Sequence, residues 1–468
     1  MGMISRCAGL VAIVCGTMMS ESVCEAQSVV NGPVFNPTTR NRYTLIQATS
    51  WEQARTWARA RGGDLATIND ADEGTWIFNT FSPGGFKYMI GLAAVDVPGT
   101  LTWSDGSTSA YRNWAVNEPK ITSGSKYVIV QSDQKWYVRN TNYSPYYVVE
   151  MTGPLKVPEQ YPTLDVAIQT ANAMGFYEVQ VGPGTHVLSN TFSLGQNSAR
   201  GLLRGAGAEQ SLIVCGSSMS TSPSLSVAGN FAIQDVGFLR STDNPIIGAG
   251  SGVLRLERVV MDGANVRGSE PLVLVNATVL ATRTTFKNAF VAFENSYSGQ
   301  PSVAANNCVF DGVAAVTTYG FAATFSNCTF NNVGLNGTNA FGGTVLLTNC
   351  ILWSPRGPIG GGVSAVASNI AGAEYPGEGN ISVDPQFVAG TLKLAANSPC
   401  VDAGNGLLML GGSVDAAGLS RVSGAAVDMG AYEVQQTPPP ACGADFDGDG
   451  FITFEDFDAF VAAFEAGC

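Results

Sequence analysis

The chain has 468 residues, 45% of them hydrophobic and only 13% charged, with 55 glycines and a net charge of −13. Such a length exceeds one ordinary core and allows about two to four domains, while the apolar content excludes a disordered chain. The acidic balance argues against nucleic acid as a partner, which needs basic footprints, and scarce charge with abundant glycine predicts a multi-domain, mainly β protein.

The first segment, MGMISRCAGLVAIVCGTMMSESVCEAQS, sets Arg6 before an apolar stretch from Cys7 to about Met19 and a small-residue step at Cys24-Glu25-Ala26. This pattern predicts a secretory signal over 1–26, and with it a secreted or cell-surface location. No later apolar run approaches the roughly 20 residues that span a bilayer, so no transmembrane segment is expected in the mature chain. Three of the ten cysteines fall in the leader; the seven that remain are an odd number, so at least one is unpaired or pairs outside the chain.

Residues 27–152 form the first module. Trp51, Ala54, Trp57, Ala58 and Arg61 recur at helical spacing before Gly62-Gly63, and Asn69 is placed to cap a second helix carrying Asp72, Trp76 and Ile77. The run SWEQARTWARARGGDLATI, then YMIGL, LTWSDG, YRNW, NEP, Trp136 and YYVVE, resembles the C-type lectin-like domain over about 41–152, which implies an α+β fold. The resemblance also implies a long disulfide, whose ends fall on Ala58 and Val149, so the core is expected to be repacked without the bridge. In sugar-binding members, carboxylates and amides after the Glu-Pro step and after a tryptophan hold calcium, which holds sugar hydroxyls. By that resemblance Glu118 is a ligand-binding candidate. Here, however, Lys120 follows Glu118-Pro119, and Tyr137 and Val138 follow Trp136, which leaves calcium short of oxygen ligands.

Residues 155–434 form the second module. The triplets VGF (236–238), VVM (259–261), TTF (284–286), CVF (308–310), CTF (328–330) and CIL (350–352), with Ile370, recur every 20 to 25 residues, the period of a solenoid coil. Two-residue alternation within each triplet predicts one inward column of Val236, Val259, Thr284, Cys308, Cys328, Cys350 and Ile370, and a second from Phe238 to Leu352. Asn307, Asn327, Asn349 and Asn369 precede the first column, as in an amide ladder that bonds up and down the stack. Cys308, Cys328 and Cys350 are expected to pack as thiols, the alternative being one bond between neighbouring coils. This pattern resembles a right-handed parallel β-helix of the pectin-lyase-like superfamily. Leu164, Ile168 and Ala171 lie on a helix that caps its open end. DPQF, SPCVDAGN and VDMGAYE resemble the closing segment of bacterial surface β-helix proteins that carry a separate anchor.

That superfamily includes polysaccharide lyases, and this leaves two readings open. One outward column reads Leu239, Asp262, Lys287, Asp311, Asn331, Trp353, and an adjoining one Asp235, Arg258, Arg283, Asn307. A lyase would use Lys287 or Arg283 as base with Asp262 and Asp311 near calcium; otherwise these are ordinary cross-strand charge pairs on a non-catalytic scaffold. The sole histidine, His186, has no nucleophile system around it.

After a proline-rich linker at 435–440, residues 441–468 contain DFDGDGFITFED. Asp445, Asp447, Asp449, Phe451, Thr453 and Asp456 occupy positions 1, 3, 5, 7, 9 and 12 of an EF-hand loop, with Gly450 at the sharp turn, so Ca2+ is the expected ion. The loop resembles a single dockerin repeat, which implies a cohesin-like or other attachment partner. Cys442 and Cys468 bracket this small unit and are expected to form a disulfide, since so short a segment cannot hold itself by core alone. Taken together, the chain reads as an exported recognition protein for a polysaccharide or a surface protein.

Overall fold

The computed structural model describes residues 28–436 apart from 83–84, 96–98, 122–125, 141–143, 175–177, 195–200, 217–221, 265, 267–269, 296–300, 319–321, 334–343, 354–361, 373, 409–411 and 413, together with residue 461. The expected signal, the six calcium-loop residues and the Cys442–Cys468 bond lie outside the described residues. The chain divides into two compact units, one built chiefly from Tyr43–Arg59 and Gly63–Glu150, the other from Met151 onward. Among the described residues no helix is long and apolar enough to cross a membrane.

In the first unit, β1 (Ser28–Phe35), β2 (Arg42–Gln47), α1 (Trp51–Arg59), β3 (Gly63–Leu65), α2 (Ala71–Phe81), β4 (Tyr88–Ala93), β5 (Thr102–Trp103), β6 (Tyr127–Val130), β7 (Trp136–Arg139) and β8 (Tyr146–Met151) follow in order. Their sheet runs β1-β2-β8-β4-β6-β7, with β3 on β8 and β5 on β4. Trp51, Ala54 and Ala58 turn one face of α1 inward. Ala58 and Val149 are both fully buried, as a core repacked without a bridge requires. The cap of α2 is Asp70, one residue beyond the expected Asn69: its carboxylate accepts from the Glu73 N–H at 2.8 Å, while the Asn69 N–H reaches back to Glu73 Oε2 at 2.6 Å.

Glu73 and Glu150 are buried and meet at one hydroxyl: Tyr43 Oη lies 2.5 Å from Glu73 Oε1 and 3.1 Å from Glu150 Oε1. Removing a hydrogen bond to a buried charge costs about 1.5–3 kcal/mol. Tyr43→Phe keeps the ring, so a chemical denaturation curve of the first unit is expected to lose about that much stability; an unchanged midpoint would show that the hydroxyl is dispensable.

The second unit is a parallel β-solenoid whose faces are sheets of 10, 9 and 6 strands among the described residues. Coil after coil stacks in register: Phe238 pairs Met261, Met261 pairs Phe286, Phe286 pairs Phe310, Phe310 pairs Phe330 and Phe330 pairs Leu352. The end helix α3 (Leu164–Met174) buries Leu164, Ala167, Ile168 and Ala171 in the same core that these rings fill. Cys308, Cys328 and Cys350 are buried and carry no disulfide.

Two expectations are corrected here. Ile370 pairs Leu352, so it belongs to the second column rather than the first. The ladder does not form: both polar side-chain atoms of Asn327 lack a partner, while Asn307 and Asn349 donate to the carbonyls of Val414 and Asn405, both 3.1 Å away, and Asn369 donates to Val383 O at 2.8 Å. The backbone explains the column. Asp235, Arg258, Arg283, Asn307, Asn327, Asn349 and Ala367 all have φ between 48° and 55°, a left-handed bend at the same corner of each coil. Asparagine is the side chain that best tolerates this region, and Ala367, not Asn369, stands at that bend in the last coil.

The described residues of 374–436 form a closing strap laid on the outer face of the last coils. Ala431 N donates to Thr329 Oγ1 at 2.9 Å and Gly430 N to Asn349 O at 2.8 Å. Ile351, a middle residue of its triplet, is thereby buried with Leu394, Cys400 and Met429.

Candidate functional site

The β7 strand ends the sheet order of the first unit, and alternation along it points Trp136 and Val138 into the core and leaves Tyr137 and Arg139 partly exposed. Glu118 closes on this strand from the preceding loop. Its Oε2 accepts from the N–H groups of Lys120 at 2.9 Å and Val138 at 3.2 Å, and its Oε1 lies 3.2 Å from Arg139 Nη1. Burial opposes the charge on Glu118, but these two N–H groups and the guanidinium outweigh it and hold the carboxyl below its ordinary range. Arg139 also lies over the Tyr137 ring at 4.9 Å, and Tyr137 Oη donates to Asp133 Oδ2 at 2.6 Å.

The donor set does not fit calcium at this position. Both oxygens of Glu118 are already engaged, one by a cation of the chain itself, and Lys120, Tyr137 and Val138 bring no carboxylate. An arginine three residues after Trp136 was visible in the sequence; that it would pair with Glu118 was not, because that needs the loop geometry.

In the solenoid, the outward column forms as expected, with Asp262, Lys287, Asp311 and Asn331 in register. Lys287 Nζ lies 3.3 Å from Asp262 Oδ2, and Asn331 donates to Asp311 Oδ1 at 2.8 Å. In the adjoining column Arg258 donates to both oxygens of Asp235, at 2.5 and 2.9 Å, which holds the Asp235 carboxyl below its ordinary range. Arg283 packs against the strap, where a side chain on Gly418 would run into its guanidinium. The four residues of the lyase reading thus stand on one stretch of the stack, with Lys287 engaged by Asp262. His186 is buried with Nε2 2.9 Å from Gly182 O.

Sequence reasoning missed the interior of the strap. Asp415, Asp428, Glu433 and Arg421 are buried there. Arg421 Nη2 donates to Asp428 O at 2.6 Å and lies 3.6 Å from Glu433 Oε2. Backbone N–H groups meet the acids: Asp428 and Ser423 donate to Glu433, Asp402 and Val434 to Asp428, and Leu419 and Glu433 to Asp415. Each carboxylate ties two stretches of loop together.

The described chain thus joins a compact unit with its own sheet and a parallel solenoid. Residues 47–151 match the family model described as the Lectin C-type domain, so the chain carries a C-type lectin domain. The secretory phospholipase A2 receptor of Bos taurus is 26% identical over 126 residues, which are 26% of this chain and 9% of the receptor. Layilin of Cricetulus griseus is 29% identical over 145 residues, 27% of this chain and 38% of layilin. The chain therefore spans well under two thirds of these relatives. The human scavenger receptor C-type lectin carbohydrate-recognition domain is a solved structure with 19% identity, covering 26% of this chain and 99% of its own, at a TM-score of 0.24.

Proposed function

We propose that this is an exported, non-catalytic recognition protein. Its lectin domain binds carbohydrate or a glycoprotein without calcium at Glu118, its solenoid, right-handed and pectin-lyase-like, serves as scaffold, and residues 441–468 load calcium for attachment. The observation that supports the reading is the Glu118–Arg139 pair, which engages the carboxylate that the resemblance makes a calcium-ligand candidate. The relatives named as receptors support a recognition role at a cell surface.

Two measurements test it. In a chain carrying Asp445→Ala and Asp449→Ala, so that the tail cannot respond, glycan binding on an array is expected to be equal with and without chelator. Binding lost in chelator would overturn calcium independence. In the unaltered chain, calcium titration by calorimetry is expected to show one site that the same double substitution abolishes, because two of its carboxylates are gone. A titration unchanged by the substitutions would remove the tail assignment.

A further inference from the structure

The outer face of the nine-stranded sheet is covered in its later coils and bare in its first ones. Late in the stack the outward residues Thr329 and Ile351 lie under the strap and are buried. In the first four coils the same two outward columns hold Val187, Leu212, Val214, Leu239 and Val260. Val187 is 52% exposed and the other four are half-buried. The strap reaches back to Arg283, where Gly418 lies, and so stops one coil short of Val260. An apolar face thus runs on past the end of its cover.

The size of the bare stretch decides what can cover it. Four coils of strands 3 to 5 residues long present roughly 300 Å2, against about 800 Å2 on each partner of a stable complex. A separate molecule, a second copy included, would not hold there, whereas a segment already tied to the chain binds at the millimolar effective concentration of its tether. The strap ends at Gln436, whose N–H donates to Ser423 Oγ at 2.9 Å and whose side-chain amide donates to Asp402 Oδ2 at 2.7 Å. Beyond it, Phe457, Phe460, Val461 and Phe464 recur at helical spacing. Val461 itself is helical and half-buried. Residues 441–468 hold 7 acids and no Lys, Arg or His, and Arg204, its side chain 55% exposed, stands at the corner before the bare face. Even with 445–456 folded into one loop, residues 437–444 extend to about 26 Å. The middle of the patch lies at most five coils back along the stack, about 24 Å.

We infer that the apolar face of the tail, Phe457, Phe460, Val461 and Phe464, packs on Val187, Val214 and Leu239 and continues the cover that the strap begins. The inference goes beyond the calcium role proposed above and does not depend on it, because the stripe and the loop use different residues.

Hydroxyl-radical footprinting of the full chain, read residue by residue by mass spectrometry, tests this contact. Val187, Val214 and Leu239 are expected to oxidise about tenfold more in a chain carrying Phe457→Ser and Phe460→Ser than in the unaltered chain. The reciprocal variant, Val214→Asp, sets a charge on an outward position and is expected to raise oxidation of Phe464 by a similar factor. Phe238 and Phe286, fully buried inside the coils, should stay unreactive in both variants, which shows that the solenoid remains folded. Equal oxidation of the three patch residues with and without the tail substitutions would overturn the contact. Protection that falls away on dilution would assign the face to a second copy and overturn it as well. A chain that shows no calcium site by calorimetry yet keeps the footprint loses the attachment reading and keeps this one.

Discussion

Phe310→Ala is expected to lower the stability of the solenoid by about 3–5 kcal/mol, the range for truncating a buried aromatic. Phe310 stands in the middle of the ring column, stacked on Phe286 at 4.9 Å and on Phe330 at 4.8 Å, with interplanar angles of 9° and 11°. Phe325 closes on its edge at 5.5 Å and Phe293 at 6.2 Å. The loss therefore combines lost transfer energy, two stacked pairs and two edge contacts, around a cavity that paired strands on every side cannot easily close. Because each coil contacts chiefly its neighbours, the damage should spread along the stack as lost cooperativity between the coils before and after position 310. Denaturant unfolding followed by tyrosine and tryptophan signals would show it as a lower midpoint with a broadened transition. A shift under about 1 kcal/mol would mean that the column is not the spine of the unit.

The reason this column was legible in the sequence is periodic: a residue every 20 to 25 positions with the same inward role leaves a signature that needs no knowledge of turns. The error at Ile370 shows the limit. Asn369 looked like the next rung after Asn349, yet the left-handed bend of that coil falls on Ala367, two residues earlier. A backbone angle is not written in side-chain identity when alanine occupies the bend. The α2 cap failed similarly, since Asn69 and Asp70 are adjacent residues of equal capping aptitude, and only the direction of the chain decides between them.

For the lectin domain, the landmark residues pointed to the fold, and the substitution of both half-cystines by Ala58 and Val149 pointed to a core without its bridge. The pairing of Glu118 with Arg139 joins residues 21 positions apart through a loop, and it has no period to reveal it. The strap is the extreme case. Its motifs marked a closing segment, but nothing in their order told that it would lie back along the stack as far as Arg283 and Asn307.

That strap supplies the second large effect. Arg421→Ala is expected to destabilise it by about 3–5 kcal/mol, because the guanidinium is the buried cation beside Glu433, with Asp428 and Asp415 also acting on it, and breaking such a group leaves charge uncompensated. Burial, the largest influence on Glu433, pushes its carboxyl up to about 7, opposed by the Asp428 and Ser423 N–H groups and by Arg421. The folded strap thus holds a proton that the unfolded chain, with an ordinary value near 4.5, has released. Stability from this group is complete below about 4.5 and is lost as pH rises toward 7. Without Arg421, Glu433 and Asp428 are harder still to ionise, so the variant should lose its strap steeply on raising the pH from 5 to 8 and recover part of it in acid. Hydrogen exchange at the Gly430 and Ala431 amides, which the strap donates to Asn349 O and Thr329 Oγ1, reads this opening directly. Protection that is independent of pH in the variant would show that Arg421 fills space rather than balancing charge.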